Sequence, residues 1–179
     1  LARPMIGEII SRLGDIVYST VGESLPETCA RMLTDDGQTL AIAESCTGGL
    51  VASELVAIPG CSKFLLEACV TYSDTAKVSR LGVRQETLDQ FGAVSEQCAR
   101  EMAEGMRKIS GSDYALATTG YAGPDGGTEE NPVGTVYIAL ARPGETLVKR
   151  ISLFGDRARI REIATLHAFD LLRRKLCLE

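Results

Sequence analysis

Thr39-Leu40-Ala41-Ile42-Ala43-Glu44-Ser45-Cys46-Thr47-Gly48-Gly49-Leu50-Val51-Ala52-Ser53-Glu54-Leu55-Val56 is the stretch that decides the fold. Its first part, Thr39 to Ala43, is short and apolar, as expected of a strand buried on both faces. Leu50 to Val56 has apolar residues at helical spacing, and a turn with two glycines separates the two. Strand, glycine-rich turn and helix form the opening of a βα unit, and such units build parallel sheets covered by helices.

Upstream, Pro26 to Leu33 predicts a helix, because proline suits a first helical turn and Asp35-Asp36-Gly37 stops the run. Before it, Met5 to Tyr18 sets Ile6, Ile9, Ile10, Leu13, Ile16 and Val17 along one helical face, and Ser19 to Ser24 reads as a loop. Residues 1–24 are therefore expected to form an N-terminal extension, either an ornament of the domain or the tail of a preceding one, with the domain proper at 25–179. Downstream, Leu65 to Tyr72 predicts a strand, and Asp74 to Leu81, Gln85 to Phe91 and Ser95 to Ile109 predict helices. Ser95 is the N-cap of the last of these, and Met102, Met106 and Ile109 share one of its faces.

Tyr114 to Thr119 is a further buried strand. Gly120 to Pro132 is too rich in glycine, proline and acidic residues for regular structure and reads as an exposed loop. Val133 to Leu140 and Thr146 to Leu153, joined by Arg142-Pro143-Gly144-Glu145, predict an antiparallel hairpin, and Arg157 to Leu176 a closing helix. The expected architecture is a three-layer α/β/α sandwich around a mixed, mostly parallel sheet.

A chain of 179 residues fits one domain with a substantial core. Its net charge of -5 argues against charge-driven nucleic-acid binding. No apolar run approaches the roughly 20 residues of a membrane-spanning helix. Six cysteines lie scattered without a Cys-x-x-Cys pair, which points to free thiols in a reducing cytosol. With His167 the single histidine, a multi-histidine zinc site is impossible, so neither metal nor cofactor is expected. The expected partners are a small-molecule nucleotide and further copies of the chain, with no nucleic acid and no membrane.

Ser45 falls at the C-terminal end of the first strand, where open α/β sheets place their ligand crevices. The amides of Thr47, Gly48 and Gly49 are expected to face an anion there, although a serine at that point is also an ordinary helix cap. Tyr72 and Lys77 lie at the next strand-to-helix junction and could reach the same crevice. A serine hydroxyl needs a base, and where histidine is scarce a buried, neutral lysine can serve. The competing reading makes Tyr72 a core residue and Lys77 a solvated helix charge. In the glycine-rich loop, Asp125, Thr128, Glu129 and Asn131 offer acceptors and Tyr121 a stacking surface. Arg157, with Arg159 and Arg161 close behind, offers forked donors for a phosphate, whereas His167 reads as structural.

Taken in order, Ala43-Glu44-Ser45-Cys46-Thr47-Gly48-Gly49, Thr71-Tyr72-Ser73 with Ala76-Lys77, Gly120 with Ala122-Gly123-Pro124-Asp125-Gly126-Gly127, Pro132-Val133-Gly134-Thr135-Val136 and Gly155-Asp156-Arg157 resemble the C-terminal domain of CinA-type proteins. The resemblance runs from about Leu25 to Leu176. It implies a nicotinamide-nucleotide amidase that converts nicotinamide mononucleotide to nicotinate mononucleotide and ammonia. Carried across, it makes Ser45 the nucleophile, Lys77 the general base and Tyr72 the assisting tyrosine, with helix-start amides holding the oxyanion. Thr47, Gly48, Gly49, Gly120, Ala122, Gly123, Asp125 and Arg157 become the substrate-binding set. Tyr121 departs from the family's usual isoleucine and would set a bulkier ring beside the pocket. A chain that begins at Leu1 reads as part of a longer polypeptide, whose preceding region would resemble a molybdopterin-binding fold with nucleotide pyrophosphatase activity. The rival reading is a catalytically silent nucleotide-binding or interaction module.

Overall fold

A computed structural model of the chain describes residues 2–177. The elements in order are α1 (Ala2–Leu13), α2 (Leu25–Asp35), β1 (Leu40–Glu44), α3 (Leu50–Val56), β2 (Leu65–Val70), α4 (Asp74–Leu81), α5 (Gln85–Phe91), α6 (Glu96–Ser110), β3 (Tyr114–Gly120), β4 (Thr135–Arg142), β5 (Glu145–Ser152) and α7 (Arg157–Leu176). The strands form one sheet in the order β2-β1-β3-β4-β5. β1 pairs parallel with β2 and β3, whereas β4 pairs antiparallel with β3 and β5. Only β4 is reversed, so the sheet is mixed with most strands running one way, as expected.

Residue size divides the sheet into two unlike faces. Leu40, Ile42, Leu116, Ile138 and Leu140 meet α2, α3 and α7. The alternate positions Ala41, Ala43, Ala115, Ala117, Ala139 and Ala141 meet α4, α5 and above all α6 through Cys98, Ala99, Met102 and Met106. Alternation at period 2 thus builds one thick layer and one in which small side chains let a helix lie close to the strands. These are the three layers the βα pattern predicts.

Boundaries shift where caps and glycines decide them. The first helix ends at Leu13 and gives way to a 3-10 turn at Gly14–Ile16, because Gly14 takes the left-handed φ of 57°. Ser24 and Glu27 close a capping box on α2, and Ser95 caps α6 as expected. Ile109 does not share the buried face of Met102 and Met106 but is 53% exposed, since α6 runs on past its packed stretch. The final strand residue of β3 must be glycine, because a Cβ on Gly120 would lie 2.6 Å from Thr135 O on β4. Among the described residues no helix is long and apolar enough to cross a membrane.

Candidate active site

β1 lies between its two parallel partners, and the chain leaves it in opposite directions toward β2 and β3. The crevice beyond the C-terminal end of β1 is therefore a topological switch point. A cavity of about 180 Å³ opens there. Ser45 and Cys46 enter it from the end of β1, and Tyr72, Asp74 and Lys77 from the segment after β2. Ala93 and Val94 come from the α5-to-α6 connection, Thr119, Gly120 and Ala122 from β3 and beyond, and Arg157 from the start of α7. A larger groove of about 570 Å³ between α4 and α6 gathers Ser79, Arg80, Arg84, Glu101, Glu104 and Lys108.

Ser45 is 8% exposed, and its amide donates to Thr118 O at 2.9 Å, which continues the β1–β3 ladder by one residue. Lys77 is only 1% exposed. Its Nζ lies 3.3 Å from Ser45 Oγ, 3.0 Å from Thr71 O and 3.3 Å from Tyr72 O. None of the ion pairs among the described residues involves Lys77. It is thus a buried amine held by two carbonyls beside a hydroxyl, and not the solvated helix charge of the competing sequence reading. Burial comes first among the forces that push the Cys46 thiol up to about 12, so the neighbouring cysteine stays protonated and is a poor rival nucleophile.

Tyr72 lines the cavity beside Ser45 and Lys77. Its side chain is 61% exposed, and it is the Tyr72 carbonyl, not the phenol, that orients Lys77. The phenol oxygen accepts from Arg157 Nη2 at 2.9 Å, while Arg157 Nη1 donates to Gly123 O at 2.8 Å. One guanidinium therefore joins the start of α7, the glycine-rich loop and the segment after β2 at the cleft.

Of the expected substrate-binding set, Gly120, Ala122 and Arg157 line the cavity, whereas Thr47, Gly48, Gly49, Gly123 and Asp125 do not. The amide of Gly48 turns back to Ser45 O at 3.1 Å, and that of Gly49 donates to Glu44 Oε2 at 2.9 Å. Neither is free for an anion. Among the described residues, the Cys46 and Thr47 amides donate to no backbone oxygen; the Thr47 amide meets the Cys46 thiol, and Thr47 is fully buried. The Thr47 hydroxyl shares a 2.7 Å hydrogen bond with that of Thr118. In the loop, Thr128 and Asn131 bond to each other, and Asn131 also engages Val94 O and Tyr137 Oη, so their polar groups serve the loop itself. The Tyr121 ring lies against Gly126 and is not among the cavity's lining residues. His167 also lies outside the lining, half-buried on α7, and its pKa is lowered first by burial and then by Lys149.

The profile of the CinA C-terminal domain matches residues 22–176. The chain belongs to the CinA C-terminal domain family. A CinA-like protein of Kosmotoga olearia is 50% identical over 173 residues, 97% of this chain and 42% of its own length. A CinA-like protein of Geotalea uraniireducens is 49% identical over 180 residues, covering 96% of this chain and 43% of its own. The chain thus spans less than half the length of these curated relatives. Among solved structures, the competence damage-inducible protein A (ComA) of Klebsiella pneumoniae superposes with a TM-score of 0.83 at 42% identity, covering 86% of this chain and 95% of that one. A competence or damage-inducible protein of Enterobacter asburiae gives 0.83 at 42% identity over 88% of this chain and 99% of its own.

Sequence reading missed Asp74 and Thr119 in the cleft and Glu44 behind it, and it set Arg161 in a phosphate clamp where the structure has it on Thr47 O. Glu44 had a signal: it continues the buried series Leu40, Ile42, and a carboxylate on a buried face calls for partners.

Proposed function

We propose that the protein hydrolyses the carboxamide of nicotinamide mononucleotide to nicotinate mononucleotide and ammonia, with Ser45 as nucleophile and Lys77 as general base. The observation that carries this reading is the buried approach of Lys77 Nζ to Ser45 Oγ at 3.3 Å, with Thr71 O and Tyr72 O as its other neighbours. A free amine has two hydrogens and one lone pair. The hydrogens suit the two carbonyls, which leaves the lone pair for the serine proton.

Ser45 Oγ attacks the carboxamide carbon as its proton passes to Lys77. The Cys46 amide, on a residue that lines the cavity and with no oxygen acceptor of its own, is the donor available to the oxyanion. Collapse expels the nitrogen as ammonia, with the proton returned by Lys77. Water then cleaves the ester, its proton passing through Lys77 to restore Ser45 and release the carboxylate. Tyr72 assists through its carbonyl, which aims the lysine, and through its phenol, which walls the cleft beside Arg157.

A cavity of about 180 Å³ is smaller than the roughly 300 Å³ at which whole-ligand pockets begin, so it suits the amide-bearing ring, with the ribose phosphate leading outward. The test is ammonia release from nicotinamide mononucleotide, its riboside and free nicotinamide. Turnover of the nucleotide that disappears in Ser45→Ala while the nucleotide still binds is the expected result. Binding without ammonia release by the wild type would instead make the domain a silent nucleotide-binding module.

A further inference from the structure

Glu44 immediately precedes the serine, yet nothing in the proposed chemistry uses it. It is 1% exposed, and no ion pair among the described residues involves it. A buried, unpaired carboxylate is costly unless its lone pairs are filled by hydrogen bonds. Here Oε2 accepts from the Gly49 amide at 2.9 Å and the Val51 amide at 3.2 Å, and Oε1 from the Ala52 amide at 2.9 Å. The free amides at the start of α3 are therefore taken by a side chain from the strand that carries the nucleophile.

The opposite side of the same turn is also held. Arg161, on α7, donates from Nε and Nη2 to Thr47 O at 3.2 and 2.8 Å. Its guanidinium lies so close that a Cβ on Gly48 would come within 3.2 Å of Nη2, at a residue whose φ of 61° already favours glycine. Glu44 thus grips the N–H groups at the end of the turn and the start of α3, and Arg161 a carbonyl of the turn. Between these grips lie Ser45 and the Cys46 amide.

We infer that Glu44 and Arg161 are a pair of positioning residues that hold the Ser45–Gly49 turn, and with it the nucleophile and the Cys46 amide beside it, in reactive geometry. This rests on the reading of Ser45 as nucleophile but not on the identity of the amide. Neither side chain lines the cavity, so each acts through the backbone and not by touching substrate. Glutamine at 44 has one acceptor oxygen and presents an NH₂ group to amide donors, so it cannot take all three bonds. A displacement on the order of 1 Å at a reacting atom can cost about 100-fold in rate.

The experiment measures two rates in wild type, Glu44→Gln and Arg161→Met. One is ammonia release, resolved into kcat and KM. The other is covalent labelling of Ser45 by a small alkyl fluorophosphonate, read by mass spectrometry. In labelling, the serine oxygen bonds to phosphorus, fluoride leaves, and the serine proton passes by way of Lys77 to solvent. Both variants should lose about 100-fold in kcat and in labelling rate while KM stays within about threefold. Thermal melting and far-UV circular dichroism report whether each variant is folded. If Glu44→Gln does not fold, Arg161→Met carries the test from the other side of the turn. Folded variants that label and turn over within threefold of wild type would overturn the inference, as would a rise in KM at unchanged kcat. A wild type that labels Ser45 but deamidates no nucleotide sinks only the substrate assignment and leaves the labelling comparison decisive. A wild type that neither labels nor turns over would remove the nucleophile and this inference together.

Discussion

Lys77 Nζ meets Ser45 Oγ at 3.3 Å, across 32 positions of sequence, because α4 begins where β2 ends beside β1. Arginine cannot replace this lysine, since a guanidinium stays protonated in proteins and has no lone pair to offer. Lys77→Arg and Lys77→Met should both lower kcat by at least about 1,000-fold, in line with removal of a catalytic base. Steady-state ammonia release checks this. Substantial turnover in Lys77→Arg would reduce the lysine to an electrostatic role and send the search for the base to Tyr72.

Tyr72 divides its roles between backbone and side chain, and the division can be measured. Tyr72→Phe keeps the carbonyl that Lys77 binds and removes only the oxygen that accepts from Arg157. Loss of one hydrogen bond of about 1 kcal/mol predicts a kcat within roughly tenfold of wild type. A loss as deep as that of Lys77→Met would put the phenol in the proton path.

Chelation should change nothing. Among the described residues no group of three His, Cys, Asp or Glu side chains is arranged to hold a metal ion. Ammonia release is therefore expected to be the same with and without EDTA. Loss with EDTA that a divalent ion restores would show a metal in the reaction.

Acid should weaken the joint between α5 and α6. Glu101 accepts from Arg84 N, Nε and Nη2 and from Thr87 Oγ1. Burial alone would raise its pKa, but the hydrogen bonds from Arg84 and Thr87 outweigh it and leave the pKa below the ordinary value of 4.5. A carboxylate with a depressed folded pKa stabilises the fold above its unfolded pKa, and that contribution is lost as pH falls through the folded value. Glu101→Gln should thus cost about 1 kcal/mol in urea unfolding at pH 7, since the Arg84 side chain is 71% exposed and solvent screens the pair. The gap from wild type should narrow below pH 4.5. A gap that stayed constant into acid would refute the assignment.

The order of strands and helices was legible because it rests on local signals. The apolar Leu40–Ala43 run, the Gly48-Gly49 turn and the Ser95 cap each declare themselves within a few residues. The convergence of Ser45 and Lys77 followed from the βα order together with family resemblance. What stayed hidden depends on contacts between distant segments: Tyr72 with Arg157 across 85 positions, and Thr47 with Arg161 across 114. No periodicity reports which way a phenol turns or which arginine of Arg157, Arg159 and Arg161 reaches a turn. The Gly49 amide was misread for a related reason. A helix start looks like an anion site in sequence unless a neighbouring side chain is already the anion, as Glu44 is.

The two faces of the sheet should respond to substitution in opposite senses, and adjacent residues of β3 test this. Leu116 and Ala117 are both fully buried in the central region of the sheet, Leu116 facing α2, α3 and α7 and Ala117 facing α6. Leu116→Ala removes methyl groups from a thick layer that cannot collapse fully around the gap, which should cost about 2–5 kcal/mol. Ala117→Leu is the reverse change, and a transfer term alone would make it favourable. Close packing decides otherwise, because α6 sits against a row of alanines and the added atoms have no space. Ala117→Leu should therefore destabilise by about 1–3 kcal/mol or more by displacing α6, while Leu116→Ile costs less than about 1.5 kcal/mol. Urea unfolding of the three variants checks the pattern, and an Ala117→Leu variant as stable as wild type would show that α6 does not lie tightly on the alanine face.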